Sequence, residues 1–173
     1  MYRLVEYTIL FIVVLLLQVF VFNNLTVSVY LTPLVYVAFV VLLPMETPPA
    51  VTLLTGTLLG VAVDYFMGTA GINTMATAFI AFIRSGLLGL VVGKDLVHDG
   101  GIPSPKRIGA GRYWRYAAIL IGVHAILFFL LEAMTLRYML HTLARIVLSG
   151  GVTLLLVRLV GLLFESRIIR KRI

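Results

Sequence analysis

The residues best suited to chemistry lie between Gly56 and Arg84, where polar groups interrupt a hydrophobic stretch long enough to cross a membrane. This stretch holds a carboxylate at Asp64, an amide at Asn73 and the guanidinium of Arg84. Ionisable groups at membrane depth are costly unless they are paired or reach an interface. Each of these side chains is therefore a candidate for contacting a ligand or a partner, and each also has a structural alternative.

The carboxylate belongs to a helical stripe of small and polar residues. At four-residue spacing the sequence places Thr52, Gly56, Gly60, Asp64 and Gly68. Residues four apart share one helix face, and a Gly-x-x-x-Gly pair on that face permits close approach of a second helix. We therefore expect Asp64 to face protein near the outer end of its span. There it would cap the turn that contains Gly68 and Gly71, pair with Arg145, or contact a ligand or partner.

The guanidinium of Arg84 lies about eleven residues into the next span, which predicts a position near mid-membrane at roughly the depth of His124. Ser85, Gly89 and Gly93 form a second small-residue stripe beside it, from which we expect close helix packing. Arg84 would make structural hydrogen bonds or contact a pocket or partner. We expect His124 to be alone among nonpolar neighbours, and because there is no second histidine at ligand spacing the sequence predicts no metal site there.

Other polar residues within the spans have local explanations. Glu132 and Arg145 flank an outer turn, where we expect them to form an ion pair. Gln18 lies toward the outer end of the first span and can hydrogen-bond across the bundle. Glu6 and Arg158 lie near the inner interface, which their side chains can reach by snorkelling.

Catalysis has little support in the sequence. It contains no serine, histidine and aspartate arrangement, no paired carboxylates on one helix face, no phosphate-binding loop and no H-E-x-x-H motif. His98 and Asp99 lie in a glycine-rich loop and are typical of a solvated turn. The sequence thus predicts a protein that is not an enzyme and needs no cofactor, while a ligand-binding bundle stays open.

The composition places these residues in an integral membrane protein. Hydrophobic residues make up 61% of the 173 residues, charged residues make up 12%, and the mean hydropathy is +1.10. This apolar content predicts one compact all-α bundle over residues 1–173 that buries its surface in lipid and against neighbouring helices. The absence of cysteine excludes disulfides and thiolate metal sites. The net charge of +7 has a distribution that favours an anionic membrane surface over nucleic acid.

Six apolar runs predict six transmembrane helices, and we interpret the first as a permanent anchor rather than a cleaved signal. The predicted spans cover residues of about 4–22, 27–43, 50–67, 73–92, 113–134 and 140–164. Residues 93–112 are rich in glycine and charge, which predicts an irregular loop where a partner can bind. Residues 165–173 form a basic tail.

The distribution of lysine and arginine predicts that both termini and the long loop are cytoplasmic. On that face the sequence places Arg3, Lys94, Lys106, Arg107, Arg112, Arg115, Arg167, Arg170, Lys171 and Arg172. Only Arg137 lies on the opposite face. Of the basic residues, those of the tail, from Arg167 to Arg172, are expected to contact anionic lipid. Tyr113, Trp114 and Tyr116 are expected to form an interfacial aromatic belt.

The order and spacing of several segments resemble the rod shape-determining protein MreD family in its Bacteroidetes-type version. The segments are LLLQVFVFNN at 15–24, TPLVYVAFVVLLP at 32–44, GTLLGVAVDYFMGTAGINTMATAFIAFIR at 56–84, KDL at 94–96 and RYWRYAAILIGVHAILFFLLEAM at 112–134. The most specific piece is the stretch Asp64-x-x-x-Gly68-x-x-Gly71-x-Asn73.

The resemblance implies a non-catalytic scaffold of the inner membrane. In that family the scaffold acts with MreC and links the MreB cytoskeleton to peptidoglycan synthases, which maintains rod shape. The family is also similar in architecture to the substrate-binding subunits of energy-coupling-factor transporters, which would place Asp64, Asn73 and Glu132 near an outward pocket. The alternative is therefore a membrane subunit that binds a small molecule or a lipid between the outer halves of spans three to six. Homo-oligomers also stay open.

Overall fold

The computed structural model describes the backbone of residues 2–24, 31–134 and 139–170 and the side chains of residues 4–24, 31–134 and 139–165. This part of the chain is helical and contains no strand. Its helices are α1 Tyr2–Leu16, α2 Val37–Leu42, α3 Pro49–Met67, α4 Ile72–Val91, α5 Lys94–His98, α6 Pro105–Ile108, α7 Ala110–Ala133 and α8 Met139–Arg170. A π-helical turn over Leu17–Phe22 extends α1.

Within the described residues, five helical segments are long and apolar enough to cross a membrane, so the chain is a multi-pass membrane protein. They are Leu4–Phe22, Pro49–Met67, Ile72–Val91, Ala110–Ala133 and Met139–Glu165. Their bounds agree with predicted spans one, three, four, five and six to within a few residues. α8 continues to Arg170, so the start of the predicted basic tail is helical.

Helices α3 and α4 form a closely packed antiparallel hairpin, as the glycine pair in α3 predicts. A Cβ atom added to Gly60 would lie 2.6 Å from the Cα of Thr74, and one added to Gly56 would lie 2.8 Å from the Cβ of Ala81. Atoms of neighbouring residues do not approach so closely, so only glycine permits this helix separation. The hairpin brings the end of α3 against the start of α4.

We predict that Gly60→Ala lowers the free energy of unfolding by about 2–3 kcal/mol, because the added methyl meets the α4 backbone, which cannot rotate away. Gly89→Ala is the matched control, since nothing lies within 4 Å of a Cβ built there. That control should be neutral or stabilised by up to about 1 kcal/mol through helix propensity. Denaturant unfolding in detergent micelles measures both variants, and equal losses would contradict this packing.

Four of the residues predicted to pack between helices do not lie in a helix–helix contact. Gly68 and Gly71 adopt φ angles of +65° and +86° at the two ends of the turn between α3 and α4, a conformation that favours glycine, and they form the turn rather than a packing face. Ser85 is exposed and a Cβ built on Gly89 meets no atom, so the second stripe packs against no helix of the described chain. The prediction of close packing through Ser85 and Gly89 was therefore wrong for a single chain.

The predicted second span is not a continuous helix. Residues 31–36 are unwound, and helix α2 covers only Val37–Leu42; residues 25–30 lie outside the described chain. This segment nevertheless runs through the interior of the bundle, since each residue from 33 to 43 is buried. The predicted helix is confirmed for residues 37–42 and was wrong for residues 31–36.

Polar side chains from α8 and from the π-helical turn satisfy the backbone of the unwound segment. The backbone N–H groups of Thr32 and Leu34 donate to the hydroxyls of Ser149 and Thr153 over 2.9 and 3.0 Å. Gln18 Oε1 accepts the N–H of Val35 over 2.8 Å, while Gln18 Nε2 donates to the Pro33 carbonyl over 3.1 Å. Irregular backbone is tolerated at membrane depth only with such partners. The predicted role of Gln18 across the bundle is thereby confirmed.

The long polar loop is more ordered than predicted. It contains α5 and α6, and α7 begins at Ala110, within the predicted loop. Gly101 joins it to the turn that follows α2: the N–H of Met45 donates to the Gly101 carbonyl over 2.9 Å, and the N–H of Gly101 donates to Glu46 Oε2 over 2.6 Å. The loop is thus anchored to the end of the bundle rather than irregular.

Candidate functional site

The carboxylate of Asp64 caps the turn and the start of α4. Its Oδ1 accepts the Thr69 hydroxyl, the Asn73 N–H over 3.1 Å and Asn73 Nδ2 over 2.9 Å. Its Oδ2 accepts the Thr74 N–H over 2.7 Å and the Thr74 hydroxyl over 2.5 Å. The first N–H groups of a helix lack intrahelical acceptors, and a negative charge there is stabilising. The predicted capping role is confirmed, although the cap reaches from one helix to the next.

A buried network continues inward from Asn73. Its Oδ1 accepts the hydroxyl of Tyr36 over 2.8 Å, and the same hydroxyl lies 3.0 Å from His124 Nε2. The Thr77 hydroxyl donates to the Asn73 carbonyl over 2.7 Å and lies 3.4 Å from the same histidine nitrogen. Because the protons of both hydroxyls are already donated, Nε2 of His124 carries the proton in these contacts.

This network changes the interpretation of His124. The side chain is 1% exposed and contacts Tyr36 and Thr77, so the prediction that it is alone among nonpolar neighbours was wrong. Within the described residues, no group of three or more histidine, cysteine, aspartate or glutamate side chains could hold a metal ion. The hydrogen bonds around His124 join side chains of α4 and α7 to Tyr36, and they thereby fix both helices to the unwound segment.

Arg84 holds the end of α2. Its side chain is 1% exposed, and its Nη2 donates to the Leu43 carbonyl and, over 3.3 Å, to the Pro44 carbonyl. Its Nε donates over 3.0 Å to the Tyr116 hydroxyl, which itself donates to the Val41 carbonyl over 3.1 Å. The last carbonyls of a helix need such external donors. The structural alternative, hydrogen bonding to backbone and side chains, is the arrangement observed.

Arg84 and His124 do not lie at one depth, contrary to expectation. Arg84 contacts Tyr116, while His124 lies eight residues further along α7, a rise of about 12 Å. The aromatic-belt prediction fails at the same place. Tyr113 and Tyr116 are 1% and 0% exposed and point into the core, and only Trp114, 37% exposed, has the expected orientation.

The predicted ion pair between Glu132 and Arg145 is confirmed. Arg145 Nη1 lies 2.9 Å from Glu132 Oε2, and Arg145 Nη2 donates to Glu132 Oε1 over 3.1 Å. The Arg145 guanidinium also lies 4.6 Å from the centre of the Phe129 ring. The alternative pairing of Arg145 with Asp64 is therefore wrong.

We predict a small effect for Glu132→Gln, with a loss of less than about 1 kcal/mol in the free energy of unfolding, because the pair is partly exposed. The loss should shrink as salt is added, since ions screen exposed pairs. Denaturant unfolding at low and high salt checks this. A loss that exceeds that of Gly60→Ala, or one that salt leaves unchanged, would contradict the assignment.

Sequence reasoning missed the hydroxyl groups that complete the polar interior. These are Tyr36, Thr69, Thr74, Thr77 and Tyr116. A signal existed for some of them: Thr77 follows Asn73 by one helical turn, and Thr69 lies inside the glycine turn. Tyr36 and Tyr116 gave none, because their partners are distant in the chain.

One predicted site and one groove that was not predicted lie apart from this network. The side chains of Arg167, Arg170, Lys171 and Arg172, predicted to contact the membrane surface, lie outside the described residues. An open apolar groove between the start of α3 and the second half of α4 is lined by Pro49, Ala50, Leu53, Phe82, Ile83, Ser85, Gly86, Leu87 and Leu90. Neither Asp64 nor Arg84 reaches it, so no predicted charged site residue faces this groove.

Comparisons with protein-family models, with curated proteins and with solved structures found no match. The fold and the site define the class directly: an all-helical, multi-pass membrane protein whose intramembrane polar groups form an internal network.

Proposed function

We propose that this protein is a non-catalytic membrane scaffold of the bacterial cell-wall elongation machinery, acting with MreC to link the MreB cytoskeleton to peptidoglycan synthases. The observation that carries the proposal is that the polar side chains within the membrane-spanning region bind to other groups of the protein. Asp64, Asn73, Arg84 and His124 all hydrogen-bond to protein, and their partners are helix ends, the unwound segment and one another. Such groups shape a bundle rather than transform a substrate. The segment-by-segment resemblance to the MreD family supplies the biological context.

We propose six membrane crossings in the inner membrane, with both termini and the 93–112 segment cytoplasmic. Two contacts support the second crossing. Gln18 near the end of the first span bonds to Pro33, and the Tyr7 hydroxyl near its beginning donates to the Leu42 carbonyl over 3.4 Å. Residues 33–42 therefore run antiparallel to the first span between these two contacts, which supports a second crossing. The excess of lysine and arginine on that side supports its cytoplasmic assignment.

The cytoplasmic segment is the surface we assign to partner contact. Its charged side chains are exposed, among them Lys94, Lys106, Arg107 and Arg112. Hydrogen bonds through Gly101 hold this segment against the bundle, so it presents these charges in a fixed arrangement. An anchored surface of this kind suits a scaffold, because ordering a loose loop would weaken binding.

The rival function, a small-molecule-binding subunit of a transporter, would need Asp64 and Asn73 to face a ligand. In the structure these two side chains bond to each other over 2.9 Å, and both are buried. Glu132 bonds to Arg145. No contact of these three residues favours an outward pocket.

Depletion of the protein in its native rod-shaped host tests the proposal. We expect cells to widen and become round, and the unchanged chain supplied in trans should restore their shape. A variant with Lys106, Arg107 and Arg112 changed to glutamine should be inserted and stable but restore shape poorly. Normal width and length after full depletion would overturn the proposed function.

A further inference from the structure

Three buried polar atoms without a hydrogen-bond partner among the described residues belong to side chains at one end of α7 and α8. They are the Tyr113 hydroxyl, Arg158 Nη1 and Glu165 Oε1. The residue Tyr113 itself is 1% exposed. Buried donors and acceptors are almost always satisfied, so three unsatisfied groups in one place need an explanation, and a bound polar group is one that accounts for all three.

The three groups face one another. Arg158 Nη1 lies 3.7 Å from Glu165 Oε1, which is within reach of an ion pair but too long for a direct hydrogen bond. The Arg158 guanidinium lies 5.6 Å from the centre of the Tyr113 ring. The side chains of Arg158 and Glu165 are 20% and 11% exposed, so they border the surrounding lipid while the tyrosine lies behind them.

Their position matches the headgroup region of a bilayer. Tyr113 lies in the first turn of α7, and in the sequence Glu165 follows the last apolar run of α8 and precedes the basic residues Arg167 to Arg172. The ends of spans lie where phospholipid phosphates and amines are found. We predicted that the Arg158 side chain extends to the interface, and that prediction does not explain why it lies beside Glu165 and Tyr113.

We propose that Tyr113, Arg158 and Glu165 form a binding site for a zwitterionic phospholipid headgroup that carries a primary ammonium, such as phosphatidylethanolamine. The phosphate accepts hydrogen bonds from Arg158 and the Tyr113 hydroxyl, and the ammonium donates to Glu165. The chemistry disfavours two common alternatives. Phosphatidylcholine has no N–H to donate to the carboxylate, and phosphatidylglycerol offers the carboxylate neutral hydroxyls but no cation, so its hydrogen bonds there are weaker. This site is independent of the proposed scaffold role.

Native mass spectrometry of the detergent-purified full chain tests the site with the three lipids on matched acyl chains. We expect phosphatidylethanolamine to bind about tenfold more tightly than either of the others, a preference of the size that one charge-assisted hydrogen bond provides. Tyr113→Phe keeps the ring in place and removes only the hydroxyl, and it should weaken phosphatidylethanolamine binding about tenfold. Glu165→Gln should abolish the preference over phosphatidylcholine.

Tyr65→Phe is the matched control, because Tyr65 is 82% exposed near the outer end of α3. It should leave lipid binding unchanged. Equal affinities for the three lipids, or unchanged binding of phosphatidylethanolamine by Tyr113→Phe, would overturn the proposal. Tyr113→Phe decides the question even if changes at Glu165 alter the fold.

Discussion

Asp64→Ala is expected to lower the free energy of unfolding by about 3–4 kcal/mol, the largest loss from any single polar side chain described above. The variant leaves the N–H groups of Asn73 and Thr74 without acceptors at the start of α4. It also removes the acceptor that orients Asn73 Nδ2, and thus loosens the bond from Tyr36 to Asn73. Denaturant unfolding in detergent micelles measures the loss.

Two further variants separate the cap from a general effect of charge. Asp64→Asn keeps one oxygen but presents an amide N–H₂ to donors, so it should lose about half as much. Asp95→Ala removes an exposed carboxylate and should change stability by less than about 0.5 kcal/mol. If Asp64→Ala unfolds at the same denaturant concentration as the unchanged protein, Asp64 is not structural, and its direct contact with a ligand or partner becomes the better explanation.

Arg84→Met is expected to cost about 2–3 kcal/mol. Methionine fills much of the same space but leaves the carbonyls of Leu43 and Pro44 buried without donors. It also removes the donor to Tyr116, whose hydroxyl holds the Val41 carbonyl. The gain from no longer burying a charge offsets part of the loss, which keeps the expected value below that of Asp64→Ala.

The stability of Arg84→Lys should fall between those of Arg84→Met and the unchanged protein. The lysine ammonium keeps the charge but lacks the planar guanidinium that reaches three acceptors. Arg112→Ala, on an exposed arginine at the start of α7, is the control and should be near neutral. The same unfolding measurement compares the set. A neutral Arg84→Met would mean that the end of α2 does not depend on this guanidinium.

Local spacing in the sequence was enough to predict part of the site. The Gly56 and Gly60 pair predicted the close hairpin, and the glycine turn beside Asp64 predicted its cap. Glu132 and Arg145 were correctly paired because they lie near the adjoining ends of α7 and α8, which follow each other closely in the chain. In each case the partners lie within one hairpin, so the chain itself limits how far apart they can be.

The unwound segment could not have been predicted from its own residues. An apolar run gives the same signal whether it is a helix or irregular chain held by neighbours, and the neighbours that decide are remote. Ser149 and Thr153 lie 117 and 119 residues from the N–H groups they accept. The sequence does not indicate which backbone N–H group a serine or threonine hydroxyl on a distant helix will accept.

The second small-residue stripe shows a different limit. Gly56 and Gly89 both lie in four-residue patterns, yet one meets Ala81 and the other meets nothing within the described chain. Spacing predicts that residues share a face, but the packing of the whole bundle decides whether that face meets a helix or the surrounding lipid. The error about Tyr113 and Tyr116 has the same cause. Their place beside a charged loop suggested an interfacial position, but the packing of the bundle buries both side chains.

Affinity purification of the full chain from native membranes, with its bound proteins and small molecules identified by mass spectrometry, tests the scaffold role most directly. The predicted result is stoichiometric recovery of MreC, weakened by the glutamine changes in the 93–112 segment and unaffected by Gly89→Ala. Purification without MreC, together with a small molecule that is retained in stoichiometric amount and lost in Asp64→Asn, would contradict the scaffold role and favour a transporter subunit.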